Sequence, residues 1–112
     1  MKANVDVEAG VCGFRTHGEF TCDDGQSISS CEVNSDCEKI SLLAKAIPSL
    51  MPLDAYEEIS PAADGKLLSL CRETLKGCCS GCAVPVGLFK GLQVAAGLAL
   101  PKDVSIHIAK ES

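Results

Sequence analysis

Apolar and polar residues alternate near both ends of the chain, and this is the pattern of strands that bury one face. The alternation covers residues 4–9 at the start and residues 104–108 at the end. Gly10 interrupts the first pattern, and residues 11–14 begin a second extended stretch. Asp24-Gly25 is typical of a hairpin turn. We therefore expect a strand, then a hairpin, and a last strand near the C-terminus.

A hairpin turn at Asp24-Gly25 fixes which side chains share a face. In this register Gly18 lies opposite Cys31. The shared apolar face then carries Phe14, Phe20, Cys22, Cys31 and Val33. We expect this face to be buried.

Between the hairpin and the last strand, apolar residues recur at helical spacing in three segments. The predicted helices run from a capping box at Ser35 to Ile47, from Ser60-Pro61 to Gly77, and from Pro85 to Gly97. In the last helix, Gly87 and Gly91 leave a flat strip for close approach by another element. The predicted fold is a single α+β domain over residues 1–112. It has two layers, in the order β-ββ-ααα-β, with helices on one face of a mainly antiparallel sheet.

Composition narrows the possible functions. The net charge is −5 without a run of Lys or Arg, which argues against binding to nucleic acid or to an anionic membrane surface. No apolar run reaches the ~18 residues of a spanning helix. The N-terminus lacks the apolar stretch of a signal peptide, so we expect a cytoplasmic protein. His17 and His107 are isolated, and the Glu57-Glu58 pair is expected to be solvated.

Eight cysteines in 112 residues are the outstanding feature of the composition. In a reducing compartment, clustered cysteines serve more often as metal ligands or redox thiols than as disulfides. Four have positions suited to that chemistry: Cys12 precedes a glycine, Cys37 lies in a first helical turn, and Cys79 and Cys82 form C-x-x-C before a helix. Free N–H groups and the helix dipole at such starts favour the thiolate.

The other four cysteines have a simpler interpretation. Cys22, Cys31 and Cys71 fall at predicted apolar positions, where packing in the core is expected. Cys78 is either a spare ligand or a loop residue. Four thiolates from Cys12, Cys37, Cys79 and Cys82 suffice for tetrahedral zinc or for a [4Fe–4S] cluster, and the spacing leaves both open.

The order of these elements resembles two known groups of proteins. A Cys-Gly at a strand and cysteines that open later helices are similar to the layout of IscU/NifU-type iron–sulfur scaffold proteins and of a cysteine-rich domain of some ribonucleotide reductases. A closer resemblance, to a family of uncharacterised small proteins of anaerobic archaea and bacteria, rests on Cys12-Gly13-Phe14, Cys82-Ala83-Val84-Pro85 and residues 97–104. It implies an anaerobic setting, which suits an oxygen-sensitive cluster.

The leading hypothesis is a non-enzymatic protein that holds an iron–sulfur cluster or zinc and presents it to a protein partner. A second hypothesis is a thiol redox or sulfur-carrier protein with Cys82 as nucleophile and Cys79 as resolving thiol. A third is a structural subunit that uses a metal only to fold. The sequence does not indicate an oligomeric state.

Overall fold

The computed structural model describes residues 1–111 of the chain as a four-stranded sheet covered by helices. The strands are β1 (Lys2–Glu8), β2 (Arg15–Cys22), β3 (Ser27–Ser35) and β4 (Leu53–Asp54). The helices are α1 (Glu38–Ala46), α2 (Ala55–Ile59), α3 (Lys66–Thr74) and α4 (Val84–Ala95), with short 3-10 helices at Ile47–Leu50 and Gly77–Cys79.

The sheet is an antiparallel meander in the order β1-β2-β3-β4. Helix α4 packs on β1 and β2, and α1 packs on β3. Phe20, Leu43, Leu67 and Leu88 are fully buried in the cluster of apolar side chains between the sheet and the helices. The predicted α+β class and the largely antiparallel sheet are confirmed.

The hairpin forms where it is predicted, but its register differs. Phe20 lies opposite Cys31 and Gly18 opposite Val33, a shift of two residues along β3. The carboxylate of Asp24 accepts hydrogen bonds from the backbone N–H groups of Gln26 (2.9 Å) and Ser27 (2.7 Å), which widens the turn. A shift of two residues keeps the same side chains on the same face, since strand side chains alternate with a period of two. Phe20 and Cys31 are therefore buried as predicted, together with Cys22.

Two expectations about residues 10–14, which precede the β2–β3 hairpin, are wrong. Residues 10–13 form a turn and not an extended stretch, and β2 begins only at Arg15. Phe14 lies outside the strand and is 41% exposed, so it does not join the buried face.

The predicted capping box at Ser35 is also wrong. Ser35 is the last residue of β3, and Cys37 is the N-cap of α1. The Ser35 hydroxyl lies 2.8 Å from that of Thr16 and accepts a hydrogen bond from the backbone N–H of Cys37 at 3.1 Å. Ser35 therefore joins the end of the sheet to the start of α1.

Helix α3 begins later than predicted, at Lys66 and not at Ser60-Pro61. Its first turn is capped from a distance by Glu58, whose carboxylate accepts hydrogen bonds from the backbone N–H groups of Lys66 (3.0 Å) and Leu67 (2.7 Å). Glu58 is only 5% exposed, so the expectation of a solvated pair is wrong for this residue. A carboxylate at a helix N-terminus satisfies free donors and interacts favourably with the helix dipole.

We expect Glu58→Ala to lower the free energy of unfolding by about 1–3 kcal/mol, because it leaves two N–H donors without their acceptor, one of them in a buried residue. Urea denaturation measures the loss. Glu57→Ala is the matched control, since Glu57 is exposed and should change stability by less than about 0.5 kcal/mol. Equal losses in the two variants would contradict the capping role.

The two glycines of α4 bring this helix close to the sheet, as predicted. A Cβ atom at Gly87 would lie 2.5 Å from Cγ2 of Val7, and one at Gly91 would lie 2.5 Å from Cγ2 of Val5. Both distances are far below van der Waals contact. Because residue 87 meets Val7 and residue 91 meets Val5, α4 runs antiparallel to β1 and begins over its C-terminal end.

The predicted C-terminal strand is not formed within the chain. Residues 99–111 have no regular secondary structure, and those from Leu100 onward are exposed. The alternation of residues 104–108 satisfies the sequence condition for a strand, but a strand also needs a neighbour with which to pair.

Candidate functional site

Three connections between elements meet at one end of the sheet. The β1–β2 turn lies there because Glu8 pairs with Arg15 at the closed end of this hairpin. The β3–α1 junction is adjacent, since Thr16 pairs with Ser35. Helix α4 starts over the same end of β1, which brings the α3–α4 connection there. Each connection carries at least one of the cysteines predicted to bind metal.

Cys12 lies in the β1–β2 turn. The backbone N–H of Ala9 donates to the carbonyl of Phe14 (3.3 Å), and that of Gly13 donates to Gly10 (2.9 Å). Gly10 and Gly13 have φ angles of 94° and 72°, which side-chain-bearing residues rarely adopt. This glycine-flanked turn presents the thiol of Cys12 to solvent.

Cys37 and the C-x-x-C pair lie deeper. Cys37 is the N-cap of α1 and is half-buried against the core. Cys79 ends a 3-10 helix, and the backbone N–H of Cys82 donates to its carbonyl at 3.0 Å. Cys79 and Cys82 are also half-buried against the core, just before α4. Two tight turns therefore fix the backbone that carries this pair.

The pKa of the Cys82 thiol depends on the other three cysteines predicted to bind metal. Burial is the main cause that raises the pKa of the Cys82 thiol, and a hydrogen bond from the backbone of Val84 opposes it. The negative charges of Cys12, Cys37 and Cys79 each raise this pKa further. Cys82 is thus within electrostatic range of Cys12, Cys37 and Cys79, although these cysteines come from three separate segments.

This pKa corrects one expectation from the sequence. The start of α4 was expected to lower the pKa of Cys82, and the hydrogen bond from Val84 does act in that direction. Burial outweighs it, because removal of water penalises the charged thiolate. A fast nucleophile near neutral pH needs the opposite shift.

Among residues 1–111, no three Cys, His, Asp or Glu side chains are arranged as they stand to hold a metal ion. The assignment of Cys12, Cys37, Cys79 and Cys82 as ligands therefore stays a prediction. Their chemistry fits zinc or iron, both of which take thiolate ligands. Cys12 is the most exposed of the four.

Three of the other cysteines belong to the core, as predicted. Cys22, Cys31 and Cys71 are at most 5% exposed. Burial raises the pKa of Cys31 to about 12, with a further contribution from the charge of Cys71. Burial likewise raises the pKa of Cys71 to about 11. Cys78 is exposed beside the C-x-x-C pair.

We expect Cys31 and Cys71 to resist alkylation by iodoacetamide in the native state at pH 7, because they are buried and remain protonated thiols. Exposed Cys78 is the internal control and should react within the same period. Mass spectrometry of the digested protein identifies the modified positions. Alkylation of Cys31 at the rate of Cys78 would contradict the burial described here.

The same two pKa values give a dependence of stability on pH. A thiol whose pKa is higher in the folded state contributes its full stability below the unfolded pKa, and this contribution is lost as pH rises from the unfolded to the folded pKa. The free energy of unfolding should therefore fall as pH rises above the ordinary thiol value of 9.0, toward about 11 and 12.

The two histidines do not join the cysteines. Nδ1 of His17 lies 2.7 Å from Oδ1 of Asp6 on the exposed face of the sheet. His107 lies in the exposed C-terminal segment. Within residues 1–111, no helix is both long and apolar enough to span a membrane.

The fold and these thiols define a small α+β protein with a group of free cysteines at one end of its sheet. The chain belongs to a family of unknown function, DUF6951, which matches residues 3–108. No curated protein and no solved structure matches the chain. The likeness in layout to the IscU/NifU scaffold proteins therefore gains no support.

Proposed function

We propose that this protein binds one metal centre, an iron–sulfur cluster or zinc, through Cys12, Cys37, Cys79 and Cys82. The observation that carries the proposal is the effect of three thiols from three connections on the pKa of a fourth. The negative charges of the other three cysteines disfavour the Cys82 thiolate, and a bound cation would reverse that effect.

The mixed exposure of the four cysteines supports a centre near the surface. Cys37, Cys79 and Cys82 are half-buried, whereas Cys12 faces solvent. A centre held in this way is shielded on one side and accessible from the side of the β1–β2 turn. We infer that the protein presents its centre to a protein partner from that side, in the cytoplasm of an anaerobic cell.

The raised pKa of Cys82 favours this proposal over a thiol redox or sulfur-carrier function. A nucleophilic Cys82 would be mostly protonated near neutral pH and would react slowly. Metal binding does not have this difficulty, because the cation displaces the proton.

The test is metal and acid-labile sulfide analysis of the protein purified without oxygen. We expect iron with a similar amount of sulfide and a brown colour, or about one zinc per chain without colour. A metal-free protein that folds normally with eight free thiols would overturn the proposal.

Removal of the metal with a chelator then distinguishes a centre that is presented to a partner from a metal that is needed only for folding. A chain that keeps its fold supports presentation, and one that unfolds supports a purely structural metal.

A further inference from the structure

The exposed C-terminal segment has the composition of a strand. Val104, Ile106 and Ile108 are 54%, 66% and 85% exposed, and they alternate with Ser105 and His107. β-branched residues in alternation suit a pleated strand with one apolar face. Exposure of three such side chains to water is unfavourable, and an exposed apolar segment of this kind is typical of a surface that binds another protein.

The sheet offers an open edge for this segment. β1 is the first strand in the sheet order and pairs only with β2 along its seven residues. The backbone groups on its other side have no strand partner within residues 1–111. An open edge of this length is a template for another strand. The opposite edge is occupied in part by β4, which has only two residues.

The apolar patterns of the edge and of the segment correspond. Ala3, Val5 and Val7 alternate along β1 on the face covered by α4, and Val5 and Val7 are only half-buried. α4 also leaves Val86 46% exposed. An added strand with Val104, Ile106 and Ile108 on the same face would extend this apolar layer by one strand.

The segment is part of the family's domain, since the match to DUF6951 extends to residue 108. In the structure, however, every residue from Leu100 to Glu111 is exposed, and none of them pairs with the β1 edge. A second copy has both parts: an open β1 edge and a free segment. Two copies related by a twofold axis can therefore fill both edges at once.

We propose that residues 103–109 of one chain add as a strand to the β1 edge of a second copy, giving a strand-exchanged homodimer. Backbone hydrogen bonds along β1 would supply affinity, and the three apolar side chains would determine which face of the added strand turns toward the apolar layer. This inference is independent of the proposed metal centre, which lies on other residues.

Light scattering coupled to size-exclusion chromatography tests the dimer. The full chain, kept in reductant so that its thiols form no disulfides, should have twice the 11.6 kDa mass of one chain. Ile106→Asp should have the mass of one chain and keep the helical signal of the wild-type circular dichroism spectrum, because Ile106 is exposed within its own chain and its strand forms only in the dimer. Leu42→Asp is the matched control: Leu42 is 61% exposed on α1, the helix that packs on β3, and its variant should stay dimeric. A monomeric wild-type chain, a dimeric Ile106→Asp variant or a monomeric Leu42→Asp variant would each overturn the proposal.

Hydrogen exchange tests which edge is used. Backbone amides of β1 should exchange more slowly in the wild-type dimer than in Ile106→Asp. Protection that is lost from residues 29–35 of β3 and not from β1 would overturn the assignment to the β1 edge. Metal content should be equal in the two proteins, so a failure of this proposal is separate from a failure of the metal centre.

Discussion

Gly91→Val is expected to lower the free energy of unfolding by about 3 kcal/mol or more, among the largest effects of any single substitution in this chain. A Cβ atom at position 91 would lie 2.5 Å from Cγ2 of Val5 and 2.9 Å from two ring carbons of Phe20. Phe20 is fully buried, so its ring has little room to move aside. The valine adds two further methyl groups to the same space. Either α4 must move away from the sheet or the core must rearrange.

Gly91→Ala gives a graded comparison for this experiment. Alanine gains about 1 kcal/mol of helix propensity over glycine, which offsets part of the steric cost. Its loss should therefore be smaller than that of valine. Lys90→Ala on the exposed side of α4 is the control and should leave stability nearly unchanged. If Gly91→Val unfolds at the same urea concentration as the wild-type chain, α4 does not pack on β1 as described.

Cys82→Ser is expected to remove most of the bound metal and to lower the thermal unfolding temperature. Structural zinc sites have apparent binding free energies of about 10–16 kcal/mol, so each of four ligands contributes on the order of 3 kcal/mol, or about a hundredfold in affinity. Cys82 is the residue whose pKa responds to the other three cysteines. Metal analysis and thermal denaturation of the variant measure both effects.

Two other cysteines provide matched controls. Cys78→Ser changes an exposed thiol next to the same turn and should keep both metal and stability. Cys22→Ser changes a buried thiol and should lower stability while metal content stays near one centre per chain. A Cys82→Ser protein with full metal content would exclude Cys82 as a ligand, and its role would then be packing.

The faces of the sheet were predictable from the sequence because alternation has a period of two. The register of the β2–β3 hairpin was wrong by two residues, yet Cys22 and Cys31 remained on the buried face. The actual register includes an irregularity between Thr21 and Cys22 and a turn in which Asp24 accepts two backbone hydrogen bonds, and a turn motif specifies neither.

Long-range contacts explain the failures. Glu58 caps α3 from eight residues before Lys66, whereas the sequence rules for caps consider only residues adjacent to the helix. Ser35 remained in β3 because it pairs with Thr16 of a neighbouring strand. The segment 104–108 has the pattern of a strand, but alternation alone does not identify its partner.

The candidate site was predictable in part. Cys79 and Cys82 form a recognisable motif, and Cys12 and Cys37 stood out by their positions at a glycine and at a helix start. The effect of the other three cysteines on the pKa of Cys82 follows from the pairing of β1 with β2 and of β2 with β3, and from the course of α4. The direction of the Cys82 pKa shift was not predictable, because it depends on burial in the folded protein.

X-ray absorption at the edge of the bound metal tests the central claim most directly. For anaerobically purified protein, we expect a first shell made of sulfur, at ~2.3 Å, with four sulfur neighbours if the metal is zinc. If the metal is iron, the sulfur shell should be accompanied by a second iron atom nearby. A first shell dominated by nitrogen or oxygen, or protein without metal, would contradict the claim that four cysteines hold one centre.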